Sequence, residues 1–306
     1  MTTPAASPSA APAADDTPRP AASVVLLRDG ADGLEVLLLR RHSNSNVLGG
    51  LYVFPGGKLD RTDCDPAWAA TLDLPVAELH QRLAEPDVAP EQAMGLYLAA
   101  LREMFEEAGV LMVEPSPGAA PNALATDALS AAVAARVAAG APLAQALADL
   151  GLRWTTRAVR PWSRWITPRN PPVGTPRFDT RFFLAALPAG QSAQHDDHEA
   201  VDSVWLTPRE ALRRHWAREL DLIPPQLMGL AQLARHGSVA SAWAEAEALR
   251  PPCILPEHFM DGEYRAMCYP GDERHSVRER ALPGPTRLRL VQRRFEPFDG
   301  FEGWFR

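Results

Sequence analysis

Cysteine is scarce in this chain of 306 residues: there are three, Cys64, Cys253 and Cys268, far apart and without C-x-x-C spacing. An odd, scattered set fits a reducing compartment better than a disulfide framework, with thiols expected to be buried or inert. Long apolar runs are lacking as well, and no window reaches the length of a membrane span. Residues 1–21, mostly Ala, Pro, Ser and Thr with Asp15 and Asp16, lack the basic and apolar regions of a secretory signal. They read as a disordered tail. The final Gly303-Trp304-Phe305-Arg306 is not a Ser-Lys-Leu type peroxisomal address, so a cytoplasmic location is the default expectation. Positive charge is not in excess either: 31 Lys and Arg stand against 38 Asp and Glu, a net charge of -7. That argues against a nucleic-acid-binding face. It leaves an anionic small molecule open, because a bound metal and a local arginine cluster can reverse the local field.

What the chain does have is a run of carboxylates, Arg102-Glu103-Met104-Phe105-Glu106-Glu107-Ala108-Gly109-Val110. Glu103, Glu106 and Glu107 stand at i, i+3 and i+4, on one helical face. Like charges at that spacing repel by a few tenths of a kcal/mol per exposed pair, roughly. Carboxylate oxygens are what hard cations such as Mg²⁺ prefer. Met94, Leu98, Leu101, Phe105 and Ala108 recur at helical spacing as a buried stripe, and Gly109 is a helix stop. A solvated acidic face is the competing reading.

Upstream, Leu51-Tyr52-Val53-Phe54-Pro55-Gly56-Gly57-Lys58 reads as a strand entering a glycine loop. Pro55 ends the ladder, and Gly56 and Gly57 permit positive φ and close backbone approach to a ligand. Together the two segments resemble the halves of a Nudix box, G-x5-E-x7-R-E-U-x-E-E-x-G-U with U aliphatic. Gly57 matches its first glycine. Arg102, Glu103, Glu106, Glu107, Gly109 and Val110 match its second half. The middle departs from the pattern, since Cys64 to Leu101 intervene. Asp63 falls at the first acidic position counting forward from Gly57, Met94 counting back from Arg102, and neither is assigned a role. A split box resembles the branch of the coenzyme A diphosphatase of peroxisomes and its bacterial relatives. Leu37-Leu38-Leu39-Arg40-Arg41-His42-Ser43 with Gly50-x-x-x-Phe54-Pro55-Gly56-Gly57 is similar to the motif preceding the box in that branch, although Asn46 stands where an arginine is usual. Trp165 to Pro168, Arg177 to Phe183 and Val204 to Leu212 also resemble it.

The resemblance implies a Nudix α/β/α sandwich with a mixed sheet, enlarged by helical insertions and a C-terminal extension. It implies a Mg²⁺- or Mn²⁺-dependent diphosphatase acting on coenzyme A or acyl-coenzyme A. Another nucleoside diphosphate linked to X (ADP-ribose, NADH, a dinucleotide) is the alternative, and a non-catalytic Nudix-fold binding module the second. Arg102, Glu103, Glu106 and Glu107 are the expected catalytic residues, the three glutamates with Glu199 the metal ligands. Arg40, Arg41, His42, Phe54, Gly56 and Gly57 are the expected substrate contacts. Glu199 belongs to an acidic stretch, His195-Asp196-Asp197-His198-Glu199, whose two histidines lack the partner pattern of a zinc site. Family analogy adds a homodimer.

Along the chain, Ser23–Arg28 and Leu34–Arg40 read as paired strands around a turn at Asp29–Gly33. Short helices are expected at Val76–Leu83, Pro208–Trp216 and Pro224–Arg235, and the glutamate helix from about Glu91 to Ala108. Ala123–Leu150 is helical by composition and reads as packing. Thr180–Ala186 and Ser203–Leu206 read as strands, and Trp162 and Trp165 as core rather than base-stacking residues. Arg177, Asp179 and Arg181 read as an ion-pair network, and Thr286–Arg293 as a short hairpin. The organisation expected is a tail over 1–21, a domain over 22–240 with insertions near 61–90 and 115–152, and an extension over 241–306.

Overall fold

The computed structural model describes residues 17–42, 49–119, 127–169, 176–194 and 200–306. The described residues begin with β1 (Arg19–Gly30), which takes in the last residues of the tail expected over 1–21, followed by β2 (Gly33–Arg41), β3 (Tyr52–Val53) and β4 (Gly56–Lys58), then α1 (Val76–Leu83) and α2 (Pro90–Ala108). Next come β5 (Val113–Pro115), α3 (Asp127–Ala138), α4 (Leu143–Asp149), β6 (Leu152–Trp154), β7 (Val159–Ile166), β8 (Phe178–Ala186) and β9 (Ala200–Leu206). The remainder is α5 (Pro208–Trp216), α6 (Pro224–Leu233), α7 (Val239–Ala248), β10 (Cys253–Ile254), β11 (Glu257–Asp261), β12 (Tyr264–Cys268), β13 (Arg287–Val291) and β14 (Arg294–Pro297).

The central sheet is mixed, with β1 parallel to β8 and antiparallel to β2. One feature of it builds the site. β1 and β2 pair only near their hairpin, from Leu27↔Val36 to Gly30↔Gly33. Beyond that they splay apart, and the segment from Tyr52 to Lys58 enters the gap. It pairs first with β2 (Leu39↔Val53) and, after Pro55, with β1 (Ser23↔Gly56). Pro55 has no N–H to give, yet its carbonyl accepts from the Val24 amide at 2.8 Å and the Ser23 hydroxyl at 2.9 Å.

Side chains alternate across the sheet, so each face has its own core. Val24, Leu26, Leu37 and Leu39 pack against α2, with Val133 of α3 and Leu147 of α4 in the same cluster. Val25, Leu27, Val36 and Leu38 pack against residues of α5, α6 and α7. Helices thus cover both faces, as in an α/β/α sandwich. The expected stripe of α2 is buried, and its middle is buried all round from Ala93 to Leu101, because α1 packs along it.

The described part of the alanine-rich stretch forms two helices, separated by Gly140 at φ 93°. The region after Pro251 holds a four-stranded antiparallel sheet in the order β11-β12-β13-β14. Its β13–β14 hairpin turns at Gln292 and Arg293, both at positive φ without glycine. Trp162 and Trp165 are buried, the latter edge-on to Tyr269. Asp179 and Glu85 each bridge Arg164 and Arg181, a network that ties the α1–α2 connection to the sheet. All three cysteines are free thiols. Cys268 is buried, Cys64 half-buried and Cys253 exposed, and burial pushes each thiol up. No helix among the described residues is long and apolar enough to cross a membrane.

Candidate active site

The site forms where the last two turns of α2 meet the wedge between β1 and β2. Gly109, at φ 68°, ends the helix by donating its N–H to the Phe105 carbonyl, a conformation suited to glycine. The turns before it carry the glutamates. Glu107, only 5% exposed, accepts the Gly56 N–H on Oε2 at 2.8 Å. Its other oxygen, Oε1, lies 3.5 Å from the guanidinium of Arg41. Glu103 lies against Gly57: a Cβ there would stand 2.2 Å from Glu103 Oε1. Glu106 is the outermost, half exposed.

The glycines serve by lacking a side chain, not by unusual torsion. Neither Gly56 nor Gly57 is at positive φ, and both lie in β4 rather than in a loop. A Cβ on Gly56 would meet the backbone of β1, 2.6 Å from Ala22 O and 2.7 Å from Ser23 Cα. The close approach expected for this segment is made by a strand and a carboxylate of the protein itself.

Arg102 occupies the centre. Its Nε and Nη2 donate to the two oxygens of Asp63 at 3.1 and 3.0 Å, and Nη2 also donates to the Lys58 carbonyl at 3.2 Å. Its Nη1 donates to Glu103 at 2.7 Å and Glu106 at 2.9 Å. Burial would lower this guanidinium, but the hydrogen bonds to Asp63 and the charges of Glu103, Asp63 and Glu106 outweigh it and raise it above its ordinary value. The carboxylates that looked mutually repulsive in sequence are therefore bridged by arginine. Asp63 is 4% exposed and also accepts the Asp60 N–H at 3.0 Å. Its position relative to Arg102 could not come from spacing, since the two are 39 residues apart. Gly95 makes it attainable: a Cβ there would lie 2.6 Å from Cys64 Sγ and 3.2 Å from Asp63 O, so α2 lets the turn carrying Asp63 lie flat against it.

The expected substrate contacts do not stay together. Arg41 shares the face of Leu39 and reaches Glu107. Arg40 alternates to the opposite face, above Tyr52, whose hydroxyl donates to Asp202 at 3.0 Å. Burial first, and then that hydrogen bond, raise the Tyr52 phenol. Phe54 is 2% exposed and edge-on to Phe182 in the core of that opposite face. Its expected contact with a ligand gives way to a packing position, as strand alternation from Val53 requires. His42 is exposed at the end of β2. Glu199, His195, His198 and Asn46 lie outside the described residues.

The glutamates, all oxygen donors, have the chemistry that Mg²⁺ or Mn²⁺ takes, and the missing Cβ of Gly57 gives Glu103 room at the centre of the set. As the side chains stand, no three His, Cys, Asp or Glu among the described residues are grouped to hold an ion. Arg102 lies between Glu103 and Glu106 and holds one oxygen of each.

Comparison with known proteins points one way. A model of the NUDT19 Nudix domain matches residues 5–233. Over 262 residues the chain is 30% identical to the acyl-coenzyme A diphosphatase NUDT19 of Gallus gallus, covering 71% of this chain and 68% of that protein. Against the protein of the same name in Homo sapiens it is 30% identical over 239 residues, covering 69% and 63%, so the match spans under two thirds of the human protein. Among solved structures, a Nudix hydrolase from Alicyclobacillus acidocaldarius aligns with TM-score 0.57 and 28% identity, covering 76% of this chain and 97% of that one.

Proposed function

The chain belongs to the Nudix hydrolases, in their NUDT19 branch, and we propose that it cleaves the diphosphate of coenzyme A or an acyl-coenzyme A. The observation that carries this reading is the convergence of Glu103 and Glu107 on the Gly56–Gly57 strand with Arg102 and Arg41 beside them. The activity for which the chicken and human relatives are named supports the choice of substrate.

A diphosphate resists water because its own charge repels nucleophiles, so cleavage needs cations on its oxygens and a positioned water. Glu103, Glu106 and Glu107 would hold Mg²⁺ or Mn²⁺, which when bound neutralises phosphate oxygens and acidifies a bound water. Arg102, fixed by Asp63, orients Glu103 and Glu106. Arg41 offers a planar pair of donors suited to a phosphate. Glu199 is assigned as a further ligand. The described residues flanking its segment are anchored beside the glutamates: Gln194 donates its N–H to Ala108 O at 3.0 Å, and Ala200 pairs with Arg41. Water adds to one phosphorus, the bond to the bridging oxygen breaks, and the products are adenosine 3′,5′-bisphosphate and (acyl-)4′-phosphopantetheine.

The test is product analysis by chromatography and mass spectrometry. The protein with Mg²⁺ is offered coenzyme A, acetyl-coenzyme A, ADP-ribose, NADH and a dinucleoside polyphosphate, with Glu106→Gln alongside. Release of adenosine 3′,5′-bisphosphate that is lost in the variant supports the proposal. Turnover of ADP-ribose or NADH alone overturns the substrate and keeps the chemistry. Tight nucleotide binding with no turnover in Mg²⁺ overturns catalysis.

A further inference from the structure

The helix that carries the glutamates is fastened just beyond them by a side chain that belongs to no motif. Gln191 is 7% exposed and lies in the segment that follows β8. Its Oε1 accepts the Leu111 N–H at 2.8 Å, and its Nε2 donates to the Leu111 carbonyl at 2.8 Å. An amide side chain carries the same donor and acceptor as a peptide, so the two close on each other as paired strands do. Ser130 of α3 adds its hydroxyl to Gln191 Oε1 at 3.2 Å. One residue on, Asp127 of α3 accepts the Ser192 N–H and the Ser192 hydroxyl, both at 2.7 Å. The Asp127 N–H donates to Gly190 O at 3.3 Å. The same segment then reaches α2 itself, where Gln194 N–H donates to Ala108 O at 3.0 Å. That carbonyl is among the last four of the helix, which have no partner within it.

Both fastenings fall close behind the glutamates. Ala108 follows Glu107 directly, and Leu111 lies just past the stop at Gly109. Glu106 and Glu107 stand in the last turn of α2, and Glu107 accepts the Gly56 N–H. A shift of the helix exit therefore shifts both carboxylates. Core volume alone does not call for a glutamine here, since Leu111 sits in an apolar cluster with Met112, Val133 and Leu147. A buried polar side chain costs stability unless it is bonded. Fully bonded, it fixes a geometry that apolar packing leaves adjustable. We propose that Gln191 is a positioning residue for the glutamates: held by α3 through Ser130 and, beside it, through Asp127 and Ser192, it clamps the exit of α2 and sets where Glu106 and Glu107 stand. The alanine-rich stretch, which reads in sequence as packing, then belongs to the frame of the site. The clamp does not depend on what the site cleaves; its effect on turnover rests on the diphosphatase reading.

The test begins with amide hydrogen exchange, read by NMR on the metal-free full chain well below its melting temperature. Gln191→Met keeps the length of the side chain and removes both hydrogen bonds to Leu111. It is expected to speed exchange of the Leu111 amide about tenfold, the size of a buried hydrogen bond, and of the Gly56 amide, which reports on Glu107, about fivefold. Leu147→Ala opens a cavity in α4 of the same insertion and costs stability without touching the clamp. It should leave Gly56 within about twofold of native. A Gly56 amide unmoved in Gln191→Met, or sped equally in Leu147→Ala, overturns the positioning role. Asp127→Ala, at an exposed position where folding is not at stake, should speed Gly56 about twofold and add little to Gln191→Met, because the two act through one segment. Effects that multiply in the double variant overturn the joint clamp. The second arm measures Mn²⁺ by the electron paramagnetic resonance of the free ion, and steady-state kinetics with coenzyme A. Gln191→Met should weaken Mn²⁺ about fivefold and lower kcat about tenfold with KM within about twofold of native. A raised KM at native kcat would overturn the role. Failure of the native chain to cleave coenzyme A leaves the exchange arm standing, so the two readings fail separately.

Discussion

Replacing Asp63 by Asn separates the anchoring of Arg102 from the chemistry of the glutamates. The substitution keeps the shape of the side chain, removes its charge and presents an NH₂ to a guanidinium that can only donate. Truncating one partner of a fully buried charge pair costs about 3–5 kcal/mol, and an exposed pair contributes at most about 1 kcal/mol. Asp63 is buried, but the Arg102 side chain is 17% exposed and retains Glu103, Glu106 and Lys58 O. The expected loss is therefore about 2 kcal/mol, between those limits. For a domain of this size that lowers the melting temperature by about 5 °C. Glu103 and Glu106, no longer held by a fixed guanidinium, should misplace the site and lower kcat about 10- to 100-fold. The assays are thermal unfolding and steady-state kinetics on Asp63→Asn, Arg102→Gln and the double variant. In the double variant Asp63→Asn should add little to Arg102→Gln, because the two act through one contact. Additive losses, or a single variant that melts and turns over like the native chain, would refute the anchoring role.

Adjacent glycines should fail in different ways. Gly57→Ala pushes against the end of a flexible carboxylate and should lower kcat at least about tenfold with a melting temperature within about 2 °C of native; Gly56→Ala meets the backbone of β1 and should lose about 1–3 kcal/mol in urea unfolding. Phe54→Ala should cost about 3–5 kcal/mol and leave KM for nucleotide unchanged in the surviving folded fraction, as a core position would; a raised KM at native stability would restore it as a substrate contact. Burial, with the Arg294 charge beside it, pushes His215 down to about 4. The unfolded chain takes up this proton near pH 6.5 and the folded chain does not, so this contribution of about 3 kcal/mol is complete above pH 6.5 and is lost as the pH falls to about 4. His215→Gln should flatten that part of a pH series of urea midpoints, and an unchanged slope would contradict it.

Where local rules suffice, the chain announced its structure. Apolar spacing places α1 at its observed bounds, Pro at the first helical position starts α5, and Gly109 stops α2 where a left-handed cap is needed. Strand alternation was also legible for Arg40 and Arg41: consecutive residues of a strand face opposite ways, so one phosphate could not be expected to meet both. The wedge of β3 and β4 was not legible, because it depends on β1 and β2 splaying, and a Pro-Gly-Gly segment reads locally as a turn. Nor was Asp63, whose partner is distant in sequence. The C-terminal sheet was masked by its own exposure. Every residue of β11 is exposed or half-exposed, so its sequence lacks the alternation that marks a half-buried strand. The β13–β14 turn uses Gln292 and Arg293 where Asn-Gly would have signalled a hairpin.

The bridge from Asp63 to Arg102 also bears on why a box can be interrupted at all. Closing a flexible loop becomes harder only with the logarithm of its length, by about 0.6 kcal/mol for each doubling, so a loop about five times longer adds only about 1.4 kcal/mol. One bidentate charged contact can offset that. The intervening chain is not even fully flexible, since α1 packs on α2 and Gly95 admits the turn that precedes it. Length between the two halves is then nearly neutral, and the constraint falls on the two ends that must meet. Residues could be added to the connection between α1 and α2 with little consequence for the site, provided that Asp63, Glu85, Gly95 and Arg102 remain.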